Sequence, residues 1–213
     1  MTVFLETERL ALRQFTEDDL EHLVALDSDP DVMRFLTGGP PTPRDVLQND
    51  YLPAYLRYYE RYAGFGFWAA IEKSTGEFLG WFHFRPLPGS PPGEVELGYR
   101  LRKVAWGKGY GTEGSRALIR RGFTEFGVRR VVASTYQDNL GSRRVMEKVG
   151  MTLVRSYRPT PAELAVHFPY DSAPLDIWDG DDVEYAMEKA DWERQEAARR
   201  ERSESPASPL LSD

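Results

Sequence analysis

The sequence predicts an α/β fold in which helices flank one mixed sheet containing at least one parallel strand pair. Three observations carry this. From Glu94 to Tyr157 the apolar periodicity alternates strand, helix, strand, helix, strand. Upstream, Phe65 to Glu72 and Phe78 to Arg85 are aromatic-rich runs joined through Lys73-Ser74-Thr75-Gly76, whose composition suits a hairpin of antiparallel neighbours. Between these parts Gly107, Gly109 and Gly111 alternate just ahead of a helical pattern. Such a loop can close backbone N–H groups on an anion where the helix dipole also favours negative charge, or it can be a flexible turn.

Composition sets the bounds. With 213 residues, 41% of them hydrophobic, the chain can bury one substantial core, and a single domain over residues 1–192 is expected, followed by a polar helical extension and disordered tail over 193–213. No apolar run is long enough to cross a bilayer, and MTVFLETERL has neither a basic n-region nor an apolar h-region, so a soluble, cytoplasmic protein without a membrane partner is expected. Cysteine is absent, which excludes disulfides and thiolate catalysis, and three scattered histidines argue against a metal site. The net charge is -7 but is unevenly spread. Arg100 to Lys148 holds twelve Lys or Arg against four acids, whereas Pro159 to Trp192 holds nine acids against one lysine. A basic stretch around the glycine loop suits a polyanionic cofactor, and an acidic one suits a cationic co-substrate; either can also be a solvated face.

Taken in order, Thr7 to Phe15 (TERLALRQF) alternates as a short strand. Thr16 is placed to cap a helix whose first turn carries Glu17, Asp18 and Asp19 and whose stripe is Leu20, Leu23 and Val24. Asp29-Pro30-Asp31 restarts the pattern for a short helix over Val32 to Phe35. Thr42-Pro43 offers a second cap for a tyrosine-rich helix reaching Tyr62 and interrupted by Pro53. Its tyrosines can serve packing or a cleft.

Pro86 to Gly93 is a loop, and Glu94 to Leu101 alternates as a strand with Gly98 inside it, the signature of a bulge or a close backbone approach. Leu118, Ile119, Phe123 and Phe126 stripe the helix after the glycine loop. Arg130 to Thr135 is a buried strand, Tyr136 to Gly141 a turn, Ser142 to Val149 a helix closed by Gly150, and Met151 to Tyr157 a strand. Pro159 to Trp178 has four prolines and no regular pattern. Asp182 to Met187 is a last strand, and Asp191 to Arg202 is helical but almost wholly polar. Gly109 to Gly114 matches GxGxxG literally, but Arg102 to Lys108 separate it from the preceding strand, and Gly107-Lys108 lacks the Ser or Thr of a nucleotide P-loop.

Five segments in order, ETERLALRQF, VELGYRL, WGKGYGTE, NLGSRRVMEKVGM and DGDDVEYAMEKADW, resemble the GNAT superfamily of acetyl-CoA-dependent N-acetyltransferases, and within it the RimJ/RimL-like branch, which acetylates protein N-termini. The resemblance runs from Thr7 to Trp192. It implies the GNAT fold, a mixed and largely antiparallel central sheet flanked by helices with a splayed parallel pair holding CoA. It implies transfer of acetyl from acetyl-CoA to a primary amine by direct attack. By this resemblance the pantetheine arm lies between the strands matching Val95 to Leu101 and Arg130 to Thr135, bonded by backbone at Leu101, Arg102 and Lys103 and by Asn139. Backbone amides across Gly107, Lys108, Gly109, Tyr110, Gly111 and Thr112 hold the pyrophosphate, with Lys103, Lys108 and Arg144 as further phosphate candidates.

For the chemistry, Glu96 is the candidate base, through water, and Ser142 is either the proton donor to the departing thiolate or a helix N-cap. Trp106 stands where the family commonly has Gln or Arg. Many relatives carry a tyrosine acid at the place of Met146, and methionine has no proton to give. On the acceptor side Trp81, His83, His167, Tyr170 and Trp178 are candidates, and the acidic stretch Asp171 to Glu184 favours a cationic amine such as a peptide N-terminus, a polyamine or an aminoglycoside. Nucleic acid is not an expected partner, and the sequence leaves a homodimer open. Rival readings are a CoA-binding regulatory module without turnover and an acyltransferase using a longer acyl-CoA.

Overall fold

The computed structural model describes residues 2–160 and 180–204. Its strands are β1 (Val3–Glu6), β2 (Leu10–Gln14), β3 (Gly66–Glu72), β4 (Phe78–Arg85), β5 (Glu94–Leu101), β6 (Arg130–Tyr136), β7 (Thr152–Tyr157) and β8 (Asp182–Glu188). They form one sheet in the order β1-β2-β3-β4-β5-β6-β8-β7. Every neighbouring pair is antiparallel except β5 and β6, which are parallel. That pair is joined through Glu94↔Arg130, Val95↔Val131 and Glu96↔Val132, and the register stops there although β5 continues to Leu101 and β6 to Tyr136. The two strands therefore part beyond Glu96. A gap opens in the middle of the sheet, and the site is built around it.

Two layers of helix cover the sheet. On one face α5 (Tyr110–Glu125) and α6 (Leu140–Val149) pack Leu118, Ile119, Phe123, Met146 and Val149 against Phe82, Phe84, Val95 and Leu97 in one buried cluster. α5 approaches unusually closely, since a Cβ on Gly114 would lie 2.4 Å from the Phe82 ring and one on Gly122 2.6 Å from the Phe84 ring. On the other face α1 (Leu20–Asp27), α2 (Pro30–Met33), α3 (Arg44–Val46) and α4 (Leu52–Arg61) form a second cluster, in which Leu23, Leu26, Leu52 and Tyr55 meet Phe67, Ala69, Phe78 and Trp81. α7 (Lys189–Glu204) docks through Trp192 on Phe123, ring centroids 5.5 Å apart, and Gln195 donates to the Gly150 carbonyl at 3.0 Å.

Several expectations are corrected. The first strand is a hairpin of two, because Val3–Glu6 folds back on Leu10–Gln14 and places Phe4 flat on Trp68 with centroids 3.8 Å apart. α1 begins only after a 3-10 turn over Glu17–Asp19, whose Asp19 turns back to accept from Thr16 N–H at 2.8 Å and to clasp Arg13 through two bonds of 2.7 Å. Thr42 caps nothing. Its hydroxyl donates to Asp27 at 2.6 Å, and Pro43 occupies the N-cap position. The tyrosine-rich helix is broken by a π-helical turn at Leu47–Tyr51 just ahead of Pro53, which resolves the backbone conflict proline creates. Its tyrosines divide by role. Tyr58 and Tyr59 donate to the carbonyls of Pro86 and Phe67, and burial raises both phenols, that of Tyr58 to about 12. Tyr51 and Tyr55 face a cleft.

Candidate active site

A cleft of about 770 Å³ runs through the β5–β6 gap. One end is lined by Trp106, Gly107, Gly109, Gly111, Thr112, Arg144 and Lys148, the other by Tyr51, Tyr55, Phe67, Trp81, His83, Arg85, Glu96 and Arg100. Tyr99, Ser134, Thr135, Asn139, Ser142 and Met146 line the passage between.

At the first end the glycines have a defined task. Gly107 and Gly109 take φ of +71° and +87°, so the chain turns into α5 through left-handed backbone that side chains resist. The first bond of the helical ladder runs from Glu113 N to Gly109 O at 3.0 Å. The N–H groups of Tyr110, Gly111 and Thr112 therefore lie ahead of it, at the positive end of a sixteen-residue dipole. Those amides, with Arg144 and Lys148 on α6, suit a pyrophosphate.

The loop is held from behind by residues that loop motifs alone do not reveal. Glu113 accepts from Thr7 Oγ1 at 2.6 Å, from Arg9 N–H at 2.8 Å and from Arg9 Nε at 2.7 Å, while Arg9 Nη1 donates to the Lys108 carbonyl at 2.9 Å. Burial works to raise the Glu113 carboxyl, but these hydrogen bonds outweigh it and hold the group below the usual carboxylate range. Arg9 also lies over the Tyr110 ring, 4.5 Å from its centroid, and the Tyr110 hydroxyl bonds Glu72. The Trp106 indole donates to the Leu101 carbonyl at 2.8 Å and so ties the loop to the end of β5.

In the passage Asn139 caps α6, its Oδ1 accepting from Ser142 N–H at 3.2 Å and its Nδ2 donating to Thr135 Oγ1 at 3.1 Å. Ser142 is thus the third residue of the first turn and not the cap, which removes that alternative. Its Oγ lies 3.0 Å from the Tyr99 hydroxyl, which also donates to the Ser142 carbonyl at 3.0 Å. Met146 is a buried wall of the passage.

At the far end Glu96 is 5% exposed, not the surface acid that strand alternation permits. Its Oε2 lies 3.1 Å from Arg85 Nη2 and 3.0 Å from His83 Nε2. Gly98 makes room for this. It pairs with His83 across the strands without a bulge, and a Cβ there would sit 2.5 Å from the imidazole. Aromatic rings wall the pocket, with Tyr55 stacked on Phe67 at 3.9 Å and Arg100 5.2 Å over Trp81. Arg100 is itself bonded to the buried Asp27 at 2.5 Å.

Of the residues expected at the site, Glu96, Ser142, Leu101, Gly107, Gly109, Gly111, Thr112, Asn139, Arg144, Trp81 and His83 all line this one cleft. Several side chains of the remaining expected residues make contacts elsewhere. Lys103 Nζ bonds Asp31 of α2, and the N–H of Arg102 goes to the Leu79 carbonyl at 2.8 Å while its guanidinium reaches Phe78 O. The Lys108 carbonyl accepts from Arg9 and the Tyr110 side chain faces Glu72, contacts that leave the Tyr110 N–H in the cradle. His167, Tyr170 and Trp178, with most of the acidic stretch, lie outside the described residues. Arg85, Arg100, Tyr99 and Arg9 were not anticipated. A charged residue amid an aromatic strand was the available signal for Arg85.

Among the described residues, no helix is long and apolar enough to cross a membrane. Residues 9–152 match the family model described as an acetyltransferase (GNAT) domain. The chain is 30% identical over 207 residues to the FsC-acetyl coenzyme A-N(2)-transacetylase of Aspergillus fumigatus, covering 93% of this chain and 82% of the relative. Among solved structures, a GNAT-family acetyltransferase from Bacillus anthracis superposes with a TM-score of 0.67 at 24% identity over 89% of this chain and 99% of the other. RimL, a ribosomal L7/L12 alpha-N-protein acetyltransferase in complex with coenzyme A, superposes at 0.69 with 17% identity over 88% and 98%. Sequence match, sheet order and divided parallel pair agree: the chain belongs to the GNAT acetyltransferase family and is an acetyl-CoA-dependent transferase.

Proposed function

We propose that this protein transfers acetyl from acetyl-CoA to a primary amine by direct attack, without a covalent enzyme intermediate. The observation that carries the reading is the single cleft joining the α5 N-terminus, the β5–β6 gap and the buried Glu96 pocket. The amides of Tyr110, Gly111 and Thr112, with Arg144 and Lys148, hold the pyrophosphate, and the pantetheine arm lies in the gap beside Asn139. Bound acetyl-CoA supplies the activated acetyl group. Glu96 serves proton removal from the amine through water; its 3.0 Å contact with His83 favours a second reading, in which the imidazole takes the proton and Glu96 orients it.

Names of relatives support an amine acceptor. One is named an N(2)-transacetylase, and the structural neighbour RimL is named an alpha-N-protein acetyltransferase. A pocket walled by Tyr51, Tyr55, Phe67 and Trp81 suits an amine carried on an apolar or cationic group. A screen of acetyl-CoA consumption against peptides and small amines should give CoA release with at least one class. Silence across the panel while acetyl-CoA still binds contradicts the proposal. Glu96→Gln and His83→Gln separate the two bases: the residue that takes the proton loses about 10²-fold or more in kcat/KM with the acid limb of the pH profile abolished.

A further inference from the structure

Met146 gives the helix side of the passage a buried wall with no proton to offer, and the facing strand carries a tyrosine. Tyr99 stands three residues beyond the last β5–β6 pair, on the face of β5 turned toward α5 and α6 and opposite to Glu96. It is held there by packing against Phe82, ring centroids 5.9 Å apart. Its hydroxyl reaches across the gap to Ser142 Oγ and to the Ser142 carbonyl, each at 3.0 Å. Both side chains line the cleft.

We propose that Tyr99 is the positioning residue for leaving-group stabilisation: it orients the Ser142 hydroxyl toward the CoA sulfur at the N-terminus of α6. This rests on the acetyl-transfer reading above. Burial raises the Tyr99 phenol far out of the physiological range, more than the bond to Ser142 lowers it, so Tyr99 stays protonated and remains a donor. The phenol has one proton, and the Ser142 carbonyl and Oγ, both at 3.0 Å, accept it in a forked bond; Ser142 Oγ then keeps its own proton to point into the cleft. Ser142 sits in the first turn of a ten-residue helix, where the dipole also favours a developing thiolate. The balance closes simply. The amine nitrogen forms the C–N bond and gives its proton to the base, while the C–S bond breaks and the sulfur leaves as a thiolate hydrogen-bonded by Ser142, to be protonated from solvent. Ser142 and Tyr99 each end with the proton they began with. Base and leaving-group partner then lie on opposite faces of the sheet, with the thioester in the gap between them.

The test needs no acceptor. The thiol of CoA bound to the full-length protein is titrated by thiolate ultraviolet absorbance, as a difference against CoA-free protein. In the wild type it should ionise about one pH unit lower than in Tyr99→Phe, a tenfold stabilisation of thiolate. Ser142→Ala should match Tyr99→Phe, the double variant should be no worse than Ser142→Ala alone, and Ser142→Thr should restore the dependence on Tyr99. With a responsive amine, Tyr99→Phe should lower kcat about tenfold while KM for acetyl-CoA stays within about twofold. Phenylalanine keeps the ring and its packing, so the fold is preserved. An unshifted thiol titration in Tyr99→Phe, or losses that multiply in the double variant, overturns the inference. A silent amine panel with the thiol shift intact counts against the acceptor reading and not against Tyr99.

Discussion

Arg9 shows how much of this site depends on residues outside it. One guanidinium joins the Glu113 carboxylate, the Lys108 carbonyl and the Tyr110 ring, so the turn of an N-terminal hairpin, just ahead of β2, sets the shape of a loop a hundred residues away. Arg9→Ala should raise KM for acetyl-CoA about tenfold and leave kcat within about twofold, since charge-assisted bonds of this kind contribute roughly 1.5–3 kcal/mol and act here on cofactor binding alone. An unchanged KM would remove Arg9 from the cradle. The same carboxylate has a pH signature. Glu113 and Asp19 both lie below the ordinary carboxylate range in the folded protein; for each, burial opposes ionisation, and hydrogen bonds from Thr7 and Arg9, or from Arg13 and Thr16, outweigh it. Each contributes stability that is complete above the unfolded value near 4 and is lost as pH falls through the lower folded value. Urea midpoints should therefore drop between about pH 5 and pH 3, and less steeply in Glu113→Gln. Equal slopes in the two proteins would contradict the assignment.

Elements were legible wherever local periodicity decides them. β4, β5 and the glycine-to-helix junction fall where alternation and helical spacing place them, because each carries its apolar pattern within a single segment. β1 was not legible. Val3–Glu6 is half exposed and is a strand only because β2 offers it an edge. Helix packing was equally hidden, since nothing in GTEGSRALIRRG says that its glycines meet phenylalanine rings. On a free helix, alanine in place of glycine stabilises by about 1 kcal/mol. At Gly114 the new methyl carbon would lie 2.4 Å from the ring of Phe82, a fully buried side chain with nowhere to go. Gly114→Ala should thus destabilise by about 1–3 kcal/mol. Gly141→Ala in α6, whose nearest neighbour would be Asn139 Oδ1 at 3.7 Å, should be neutral or stabilising. Opposite signs in denaturant midpoint are the expected result, and a stabilised Gly114→Ala would mean that α5 stands further from the sheet.

At the scale of the whole molecule the site is a seam between two layers that touch the sheet from opposite faces, and its wholeness depends on what joins the front layer to β5. Sequence motifs located the back of the seam, where the glycine loop and Ser142 lie in continuous segments. At the front they reached Glu96, Trp81 and His83 but not the clasp that holds it, because Asp27, Thr42 and Arg100 come from three distant stretches that only tertiary packing unites. Arg100 Nη1 meets Asp27 Oδ1 at 2.5 Å, and Thr42 Oγ1 meets Asp27 Oδ2 at 2.6 Å, with Asp27 1% exposed. A buried pair of this kind gains little over apolar residues, yet removing one partner strands a charge, which typically costs about 3–5 kcal/mol. Asp27→Ala should therefore destabilise the protein by about that amount in urea denaturation. Because Arg100 also lines the acceptor pocket, the variant should lose turnover faster than it loses CoA affinity. Asp27→Leu combined with Arg100→Met should recover most of the stability, since no unpaired charge remains, but not the turnover. If Asp27→Ala instead melts within about 1 kcal/mol of the wild type, the pair does not hold the front layer to the sheet and the acceptor pocket is shaped by aromatic packing alone.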